Sequence, residues 1–559
     1  MSKAVANEQG KVKLGNKLAF ACGDIFGGGS FNIINFLFVP FLTLVVGIDI
    51  SIVGIILLFT KIWDGIIDPF IGKVTDGKQP GKFGKRRYFM LIFAPLVAVG
   101  LVLLFFPWNL VTKSVPLKIL FVIIVYMLYA TAQSFVLIPY YSHASEMTDN
   151  YSERNKVNAV RLAFSIASSL ICVVVPGMLA SPEIAIKNQD GGLCYIVMAA
   201  IFGVIFMASI LVTAIFSKEQ IVSPAIHRKL SFKEFVKPLK LKTYRQYLGM
   251  QMCASMAMAI MSSYFYTYCD FFIRRDTYML ATQTGLGRDF PVATVAAAMM
   301  FVAQIIALPI YLRMIKAKGK RFSYIFGAGL WAVLAFGLFL LPAEPNGTAQ
   351  IVDIIKDGVV TGQQVATKQG VPNWAIILFG LSLGLGIGGT VFVPHSSFGD
   401  VCDVGELYFG ERTEGAFSGL SNFLNTTAQA IGLAIPSWIM GFAGYQETSY
   451  CTLQEFNQMQ DIVYSQGSTT TGVVDGIYKF SIFDSSVQLV PLQQSESAQL
   501  AIRIAFTLLP IAVLVLGVYF ASKFKLNSTL QRQIVEANAV QDKTTEQFAA
   551  QREELLQQL

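Results

Sequence analysis

Two aspartates lie four residues apart within an apolar stretch of the sequence. The stretch from residue 61 to 69 reads KIWDGIIDP, which puts Asp64 and Asp68 one turn apart on one face of a helix. Two carboxylates at this separation resist ionising together unless a cation lies between them or one of them keeps a proton. The pair therefore predicts a binding site for H⁺ or Na⁺.

An ion pair is the alternative interpretation of these two aspartates. Lys61 on the same segment, or Arg161 farther along the chain, could neutralise them for packing alone. Static buried ion pairs rarely repay the cost of removing both charges from water. We therefore favour the cation site.

Polar side chains recur at helical spacing in other apolar segments and predict the wall of a shared cavity. Asp24 lies about 9 Å into the first segment at ~1.5 Å per residue, a depth similar to that of the aspartate pair, and Arg161 lies a little below. Amides and aromatic rings suit a hydroxyl-rich solute. The alternatives are helix packing for the glycine-flanked positions and membrane-interface packing for the tyrosines. The predicted solute-binding residues are Asp24, Asn32, Asn35, Tyr140, Tyr141, Asn422 and Asn425.

The composition indicates which elements must hold these side chains. Of the 559 residues, 54% are hydrophobic and 14% are charged, more apolar side chain than a water-soluble fold could cover. The net charge of +8 lies in short loops between apolar runs rather than on one polar domain, which argues against a nucleic-acid partner. The sequence therefore predicts an integral membrane protein with the lipid bilayer as its partner.

Twelve apolar runs are long enough to cross a bilayer as helices. The first six form an N-terminal unit (1–216), a basic linker follows (217–243), and the last six form a C-terminal unit (244–523) before a tail (524–559) that we expect to be an exposed or frayed helix. Two loops, 343–373 and 445–499, are unusually long, and the second is expected to be either a small lobe with short strands or disordered. The runs lie near 18–46, 51–75, 88–107, 117–144, 157–180, 193–216, 244–273, 292–316, 322–341, 374–400, 415–443 and 500–523.

Basic residues are unevenly divided between alternate loops. The stretches 73–87, 217–245 and 313–321 hold six, eight and five Lys or Arg, whereas each of the alternate loops holds three or fewer. Basic loops stay on the cytoplasmic side. We expect a multi-pass protein of the plasma (bacterial inner) membrane with both termini in the cytoplasm, and the long loops outside.

Ordered motifs along the chain carry a family resemblance. The chain resembles the major facilitator superfamily and, within it, the glycoside-pentoside-hexuronide:cation symporters typified by melibiose permease. The motifs are Trp63-Asp64-x-x-x-Asp68-Pro69, Gly72-x-x-x-Asp76 with Gly84-Lys85-Arg86-Arg87, Ile138-Pro139-Tyr140-Tyr141, Glu153-Arg154-Asn155 followed by Arg161, and Asp400-x-x-Asp403-x-Gly405-Glu406 with Arg412 and Glu414.

The resemblance implies an all-α membrane protein with twelve transmembrane helices in two six-helix bundles, working by alternating access. It implies that Asp64, Asp68 and Ser134 bind the cation, as metal ligands only if that cation is Na⁺, and that Arg161 belongs to the sugar site. It also implies a cytoplasmic gate network between the two halves, for which topological charge is the alternative. The gate residues are Asp76, Arg86, Arg87, Glu153, Arg154, Asp400, Asp403, Glu406 and Arg412.

The chain departs from the family pattern at several site positions. In an ungapped alignment with melibiose permease, two sugar-binding aspartates fall on Gly28 and Leu137 and a tryptophan falls on Tyr141, which argues against a galactoside-specific site. The asparagine beside the Na⁺ site falls on Ile67, which offers no oxygen. This favours H⁺ coupling, although two carboxylates with Ser134 still suit Na⁺.

The resulting hypothesis is a secondary-active importer of a sugar, glycoside or uronide, coupled to H⁺ or Na⁺, with no enzymatic activity and no cofactor. A lysolipid carrier of the same fold is one alternative, and an apolar cavity open to lipid would be its mark. A non-transporting sensor or scaffold is the other. The intact carboxylate pair argues against that last class.

Overall fold

The structure is a computed structural model, and it is helical almost throughout. The residues that it describes are 12–79, 84, 86–147, 151–180, 192–217, 236–269, 292–341, 350–356, 359–366, 373–410, 414–445, 450–452, 489–491, 495–538 and 546–558.

The first six long helices follow the first six apolar runs. Helix α1 has a turn at Gly23 that divides Leu14–Cys22 from Asp24–Pro40. Helix α2 begins after Asp49, whose side chain caps it by accepting from the backbone N of Ser51 at 2.7 Å. The helices are α1 (Leu14–Val45), α2 (Ile50–Gly77), α3 (Arg87–Leu104), α4 (Val115–Glu146), α5 (Tyr151–Leu179) and α6 (Leu193–Phe216).

In its described residues, the second half contains six more long helices and two short ones. A helical stretch at Val292–Leu340 is broken at Gly319, whose φ of 83° favours glycine, and its two arms are α8 (292–318) and α9 (320–340). The others are α7 (Lys242–Tyr268), α10 (Asn373–Phe409), α11 (Glu414–Phe442), α12 (Ser497–Lys523), α13 (Ser528–Asn538) and α14 (Glu546–Gln558).

Nine helices in the described part of the chain are long and apolar enough to cross a membrane. One of the nine is the stretch that Gly319 divides in two. Helices α7 and α11 are of similar length but more polar. Counting the two arms separately and adding α7 and α11 gives twelve long helices among the described residues, as many as the apolar runs of the sequence.

Two small antiparallel sheets accompany the helices in the described residues. Strands β1 (Gln350–Lys356) and β2 (Val359–Ala366) form a hairpin between α9 and α10. Strands β3 (Tyr450–Thr452) and β4 (Leu489–Pro491) pair between α11 and α12. The sequence places strands only in the second loop, yet the longer pair lies in the first, where Val and Ile are frequent.

The two halves pack closely at the start of α2 and at the end of α5. A Cβ at Gly54 of α2 would lie 2.6 Å from Cβ of Ser437 on α11, and a Cβ at Gly177 of α5 would lie 3.0 Å from Oγ1 of Thr294 on α8. We call this side of the molecule, which carries the start of α2 and the helix ends joined by the β1–β2 hairpin, the hairpin face. The opposite side, which carries α13 and α14, is the tail face.

The tail helices pack against the end of α10. Arg552 of α14 donates from Nε to the backbone O of Leu407 at 2.8 Å and from Nη2 to that of Tyr408 at 2.7 Å. Ile534 and Ala537 of α13 are fully buried. The predicted helical tail is therefore present, but one face of it is covered, contrary to the exposed helix expected from its polar composition.

Candidate functional site

The aspartate pair lies on α2 where α4 and α11 approach it. The hydroxyl of Ser134 on α4 donates to Oδ1 of Asp64 at 3.2 Å. The side-chain amide of Asn422 on α11 donates from Nδ2 to Oδ2 of Asp68 at 3.2 Å. The other carboxylate oxygen of Asp68, Oδ1, is buried and has no hydrogen-bond donor among the described residues. The structure thus brings a hydroxyl, an amide and two carboxylates together across both halves.

Helix α2 is held against α4 next to this pair. The indole Nε1 of Trp63 donates to Oγ1 of Thr131 at 3.1 Å, and that hydroxyl donates in turn to the backbone O of Met127 at 2.7 Å. Trp63 directly precedes Asp64, so its contact fixes the rotation of α2 at the pair. The position of the carboxylates is therefore set by packing as well as by their own hydrogen bonds.

The two basic residues of the alternative interpretation behave differently. Lys61 is 6% exposed, and its Nζ lies 5.4 Å from the centroid of the Phe31 ring. Arg161 pairs instead with Asp24, with Nε 4.0 Å from Oδ2. The guanidinium of Arg161 thus pairs with Asp24 rather than with Asp64 or Asp68. Lys61 is the basic side chain that lies near the aspartate pair in the sequence.

A second polar cluster forms where α1, α4 and α5 meet. Asp24 is 3% exposed, and the Cζ atom of its partner Arg161 lies 5.1 Å from the centroid of the Tyr141 ring. Tyr141 is 44% exposed. An exposed ring beside a charged pair offers a flat apolar surface and hydrogen-bonding groups together, which suits a sugar.

The remaining predicted solute residues occupy less uniform positions. Asn32 donates to the backbone O of Gly28 at 2.8 Å within α1, and Asn35 is half-buried. Oδ1 of Asn425 is buried and accepts no hydrogen bond in the described part of the chain. Tyr140 is 1% exposed and donates to the backbone O of Phe20 at 3.0 Å, which favours packing over the expected solute contact.

The gate arginines of the first half lie at helix ends on the tail face. Arg86 is buried, and its Nη1 donates to Oγ1 of Thr75 at 3.5 Å. Arg87 donates from Nε to the backbone O of Ala214 and from Nη2 to that of Ile215 at 2.7 Å. These are the last carbonyls of α6, where the helix dipole favours a cation.

The gate acids of the second half lie along α10. Asp400 forms an ion pair with Lys320, the first residue of α9, which is not among the gate residues that the resemblance implies. Asp403 accepts from Nε2 of Gln531 on α13 at 2.7 Å, and Glu406 follows one turn later. The sequence could have indicated Lys320, because this residue is basic and follows a glycine in the basic loop before α9.

These described contacts join elements of the same half, so a network between halves stays a prediction. The side chains of Asp76, Glu153 and Arg154 and all of Arg412 lie outside the described residues. Their assignment to the gate is therefore open to experiment.

Comparison with known proteins gives one family and several relatives. The family model described as MFS/sugar transport protein matches residues 19–528. The uncharacterized symporter YjmB of Bacillus subtilis is 24% identical over 81% of this chain and 89% of its own length. The glucuronide carrier protein homolog of Escherichia coli is 25% identical over 77% and 81%. The isoprimeverose transporter of Lactiplantibacillus pentosus is 23% identical over 80% and 84%.

Solved structures share the fold at low sequence identity. The nucleoside transporter NupG is 12% identical with a TM-score of 0.52, covering 92% of this chain and 99% of that protein. A structure of proton dependent oligopeptide transporters is 12% identical with a TM-score of 0.53, covering 94% and 100%. At this identity, the likeness concerns the arrangement of the helices alone.

Proposed function

Because the chain belongs to the MFS/sugar transport protein family, we propose that this multi-pass membrane protein is a symporter that imports a sugar, glycoside or uronide together with H⁺ or Na⁺. The observation that carries the proposal is the aspartate pair, which receives hydrogen bonds from Ser134 of one half and Asn422 of the other. Relatives named as symporters and as a glucuronide carrier support the same activity.

The proposed units are two bundles, 1–216 and 244–523, joined by the linker 217–243 and followed by the tail 524–559. We place the tail face in the cytoplasm because the basic loops lie there. The described contacts between bundles near Gly54 and Gly177 then close the outer side. In this arrangement, bound cation and solute would leave toward the cytoplasm.

The coupling step follows from the charge of the pair. With the outer side open, a cation between Asp64 and Asp68 neutralises their repulsion and favours the solute-competent state. Solute then binds at the cluster of Asp24, Tyr141 and Arg161, and the bundles rock to the arrangement seen here. The polar character of this cluster favours a hydroxyl-rich solute over an amphipathic lipid.

Uptake into membrane vesicles tests the proposal. Labelled neutral pentosides, neutral hexosides and glucuronides are offered under an imposed Na⁺ or H⁺ gradient, and the wild type is expected to accumulate one class above equilibrium. Asp64→Asn and Asp68→Asn should reduce accumulation to the passive level, because an amide cannot hold the cation by charge.

Asp49→Asn is the matched control. It makes the same chemical change on α2, and Asn caps a helix as well as Asp does, so accumulation should persist. Uptake by the wild type that ignores both gradients would refute the coupling. Normal accumulation by both site variants would refute the site.

A further inference from the structure

We propose that Asn422 drives release of the coupling cation by replacing it at Asp68 when the bundles adopt the arrangement seen here. This inference rests on the proposed symport and assigns Asn422 a positioning role at the cation site rather than the solute contact that the sequence suggests. It concerns a hydrogen bond between residues 354 positions apart in the chain, from α11 to α2.

The chemistry of the two side chains fixes the direction of this hydrogen bond. An ionised carboxylate only accepts hydrogen bonds, so the amide of Asn422 must present its NH₂ group to Asp68. The Nδ2 to Oδ2 distance of 3.2 Å is that of such a bond. An amide hydrogen pointing at the carboxylate occupies a direction from which a cation would otherwise be bound.

The bond is strongest when the cation is absent. A hydrogen bond to a charged acceptor stabilises more than one to a neutral acceptor. Asn422 therefore stabilises the ionised, cation-free form of Asp68 more than the loaded form. Because Asn422 belongs to the other bundle, it offers this stabilisation only where α11 lies against α2.

Helix α11 does lie against α2 at this level. A Cβ at Gly65 of α2 would lie 3.1 Å from Cδ2 of Phe423, the residue after Asn422. Asn422 itself is exposed, so surrounding side chains do not enclose the amide. Closure of the outer side and delivery of the amide to Asp68 are thus the same movement, and cation release follows from it.

The groups around Asp64 and Asp68 support reversible binding of the cation rather than a permanent metal site. Among the described residues, no third Asp, Glu, His or Cys joins the pair in a metal-type cluster. Oδ1 of Asp68 is buried and receives no hydrogen bond within the described part of the chain, so one oxygen stays available for a cation when the amide withdraws. The site therefore suits a cation that must be bound and released in each cycle.

Comparing net uptake with exchange in proteoliposomes distinguishes a role of Asn422 in cation release from a role in solute binding or packing. The probe is the solute class and the ion that the wild type uses. Net uptake requires the carrier to release its cation inside and to return empty. Exchange, with solute and cation saturating on both sides, does not require the empty carrier. Asn422→Ala should lower net uptake about tenfold, equivalent to ~1.4 kcal/mol, and leave exchange unchanged.

Two further variants test the donor itself. Asn422→Gln keeps the amide donor on a side chain one methylene longer and should lower net uptake less than Asn422→Ala does. Asn422→Asp is nearly isosteric but cannot donate when ionised, so it should lose net uptake and keep exchange, even if Asn422→Ala fails to fold. Thr427→Val is the control, since that hydroxyl bonds within α11 to the O of Phe423 at 2.8 Å.

Each other outcome overturns the inference. Equal loss of net uptake and exchange would make Asn422 a solute contact or a packing residue. Unchanged net uptake in Asn422→Ala and Asn422→Asp would remove it from the cycle. A wild type whose uptake needs no cation would instead refute the proposed symport, which is a separate result.

Discussion

At the scale of single residues, the pair of Asp24 and Arg161 gives a direct test of the solute site. Asp24→Asn keeps the shape of the side chain but leaves the guanidinium without its charged partner, which lies 4.0 Å away. The solute KM should rise about tenfold, equivalent to ~1.4 kcal/mol, because the guanidinium that we expect to contact the solute loses the charge that orients it. The ion concentration for half-maximal uptake should not change.

Arg161→Lys supplies the companion to that measurement. It keeps the charge but loses the planar fork and the stacking on Tyr141, so it should resemble Asp24→Asn in KM. A normal KM in both variants would show that this cluster does not contact the solute. A shift in ion dependence instead would place the cluster in the cation site.

Single residues also show which parts of the site can be predicted from the sequence. Asp64 and Asp68 are predictable because charge inside an apolar run is rare and costly. Asn422 as the partner of Asp68 is not, since nothing local relates residues on different bundles. Tyr140 and Tyr141 look alike in the sequence, yet one is buried and the other exposed, because adjacent residues on a helix differ by about 100° in direction.

At the scale of helices, the close approach of α2 to α11 at the hairpin face gives a test of how the bundles move. Gly54→Val would place a side chain 2.6 Å from Cβ of Ser437 and should push the bundles apart at the hairpin face. The measurement is the distance between spin labels on exposed residues of the two bundles, Lys113 and Leu500, in a cysteine-free background. We expect a longer distance and slower net uptake.

Gly329→Val on α9 is the control for that prediction. A Cβ at Gly329 would meet nothing within 4 Å, so the label distance and the uptake rate should match those of the wild type. An unchanged label distance in Gly54→Val would contradict the prediction, because it would show that local adjustment of α2 and α11 accommodates the valine without separating the bundles.

The helices themselves were largely predictable, and the exceptions have physical causes. Apolar runs give the position of a span because the bilayer sets its length. The buried face of α13 was missed because its composition is polar, although Leu530, Ile534 and Ala537 recur at helical spacing and are all buried. The β1–β2 hairpin was missed because strands of seven and eight residues give a weak signal.

At the scale of the whole molecule, the uneven loop charges predict its orientation. An epitope inserted between β1 and β2 should bind antibody on intact cells, whereas one fused after Leu559 should bind only after permeabilisation. The measurement is antibody binding before and after permeabilisation, with uptake activity as the test that each tagged protein is folded. The opposite pattern would invert the molecule and make the proposed importer an exporter.

The polar character of α7 and α11 has a consequence for how the protein is made. A helix that carries many polar residues partitions poorly into lipid by itself during insertion, and α2 carries two carboxylates into the same environment. Since α2 and α11 pack together in the finished protein, each can shield the other's polar side chains. We expect α11 to enter the bilayer stably only once α2 is there to receive it, so the first bundle serves as a template for integrating the second.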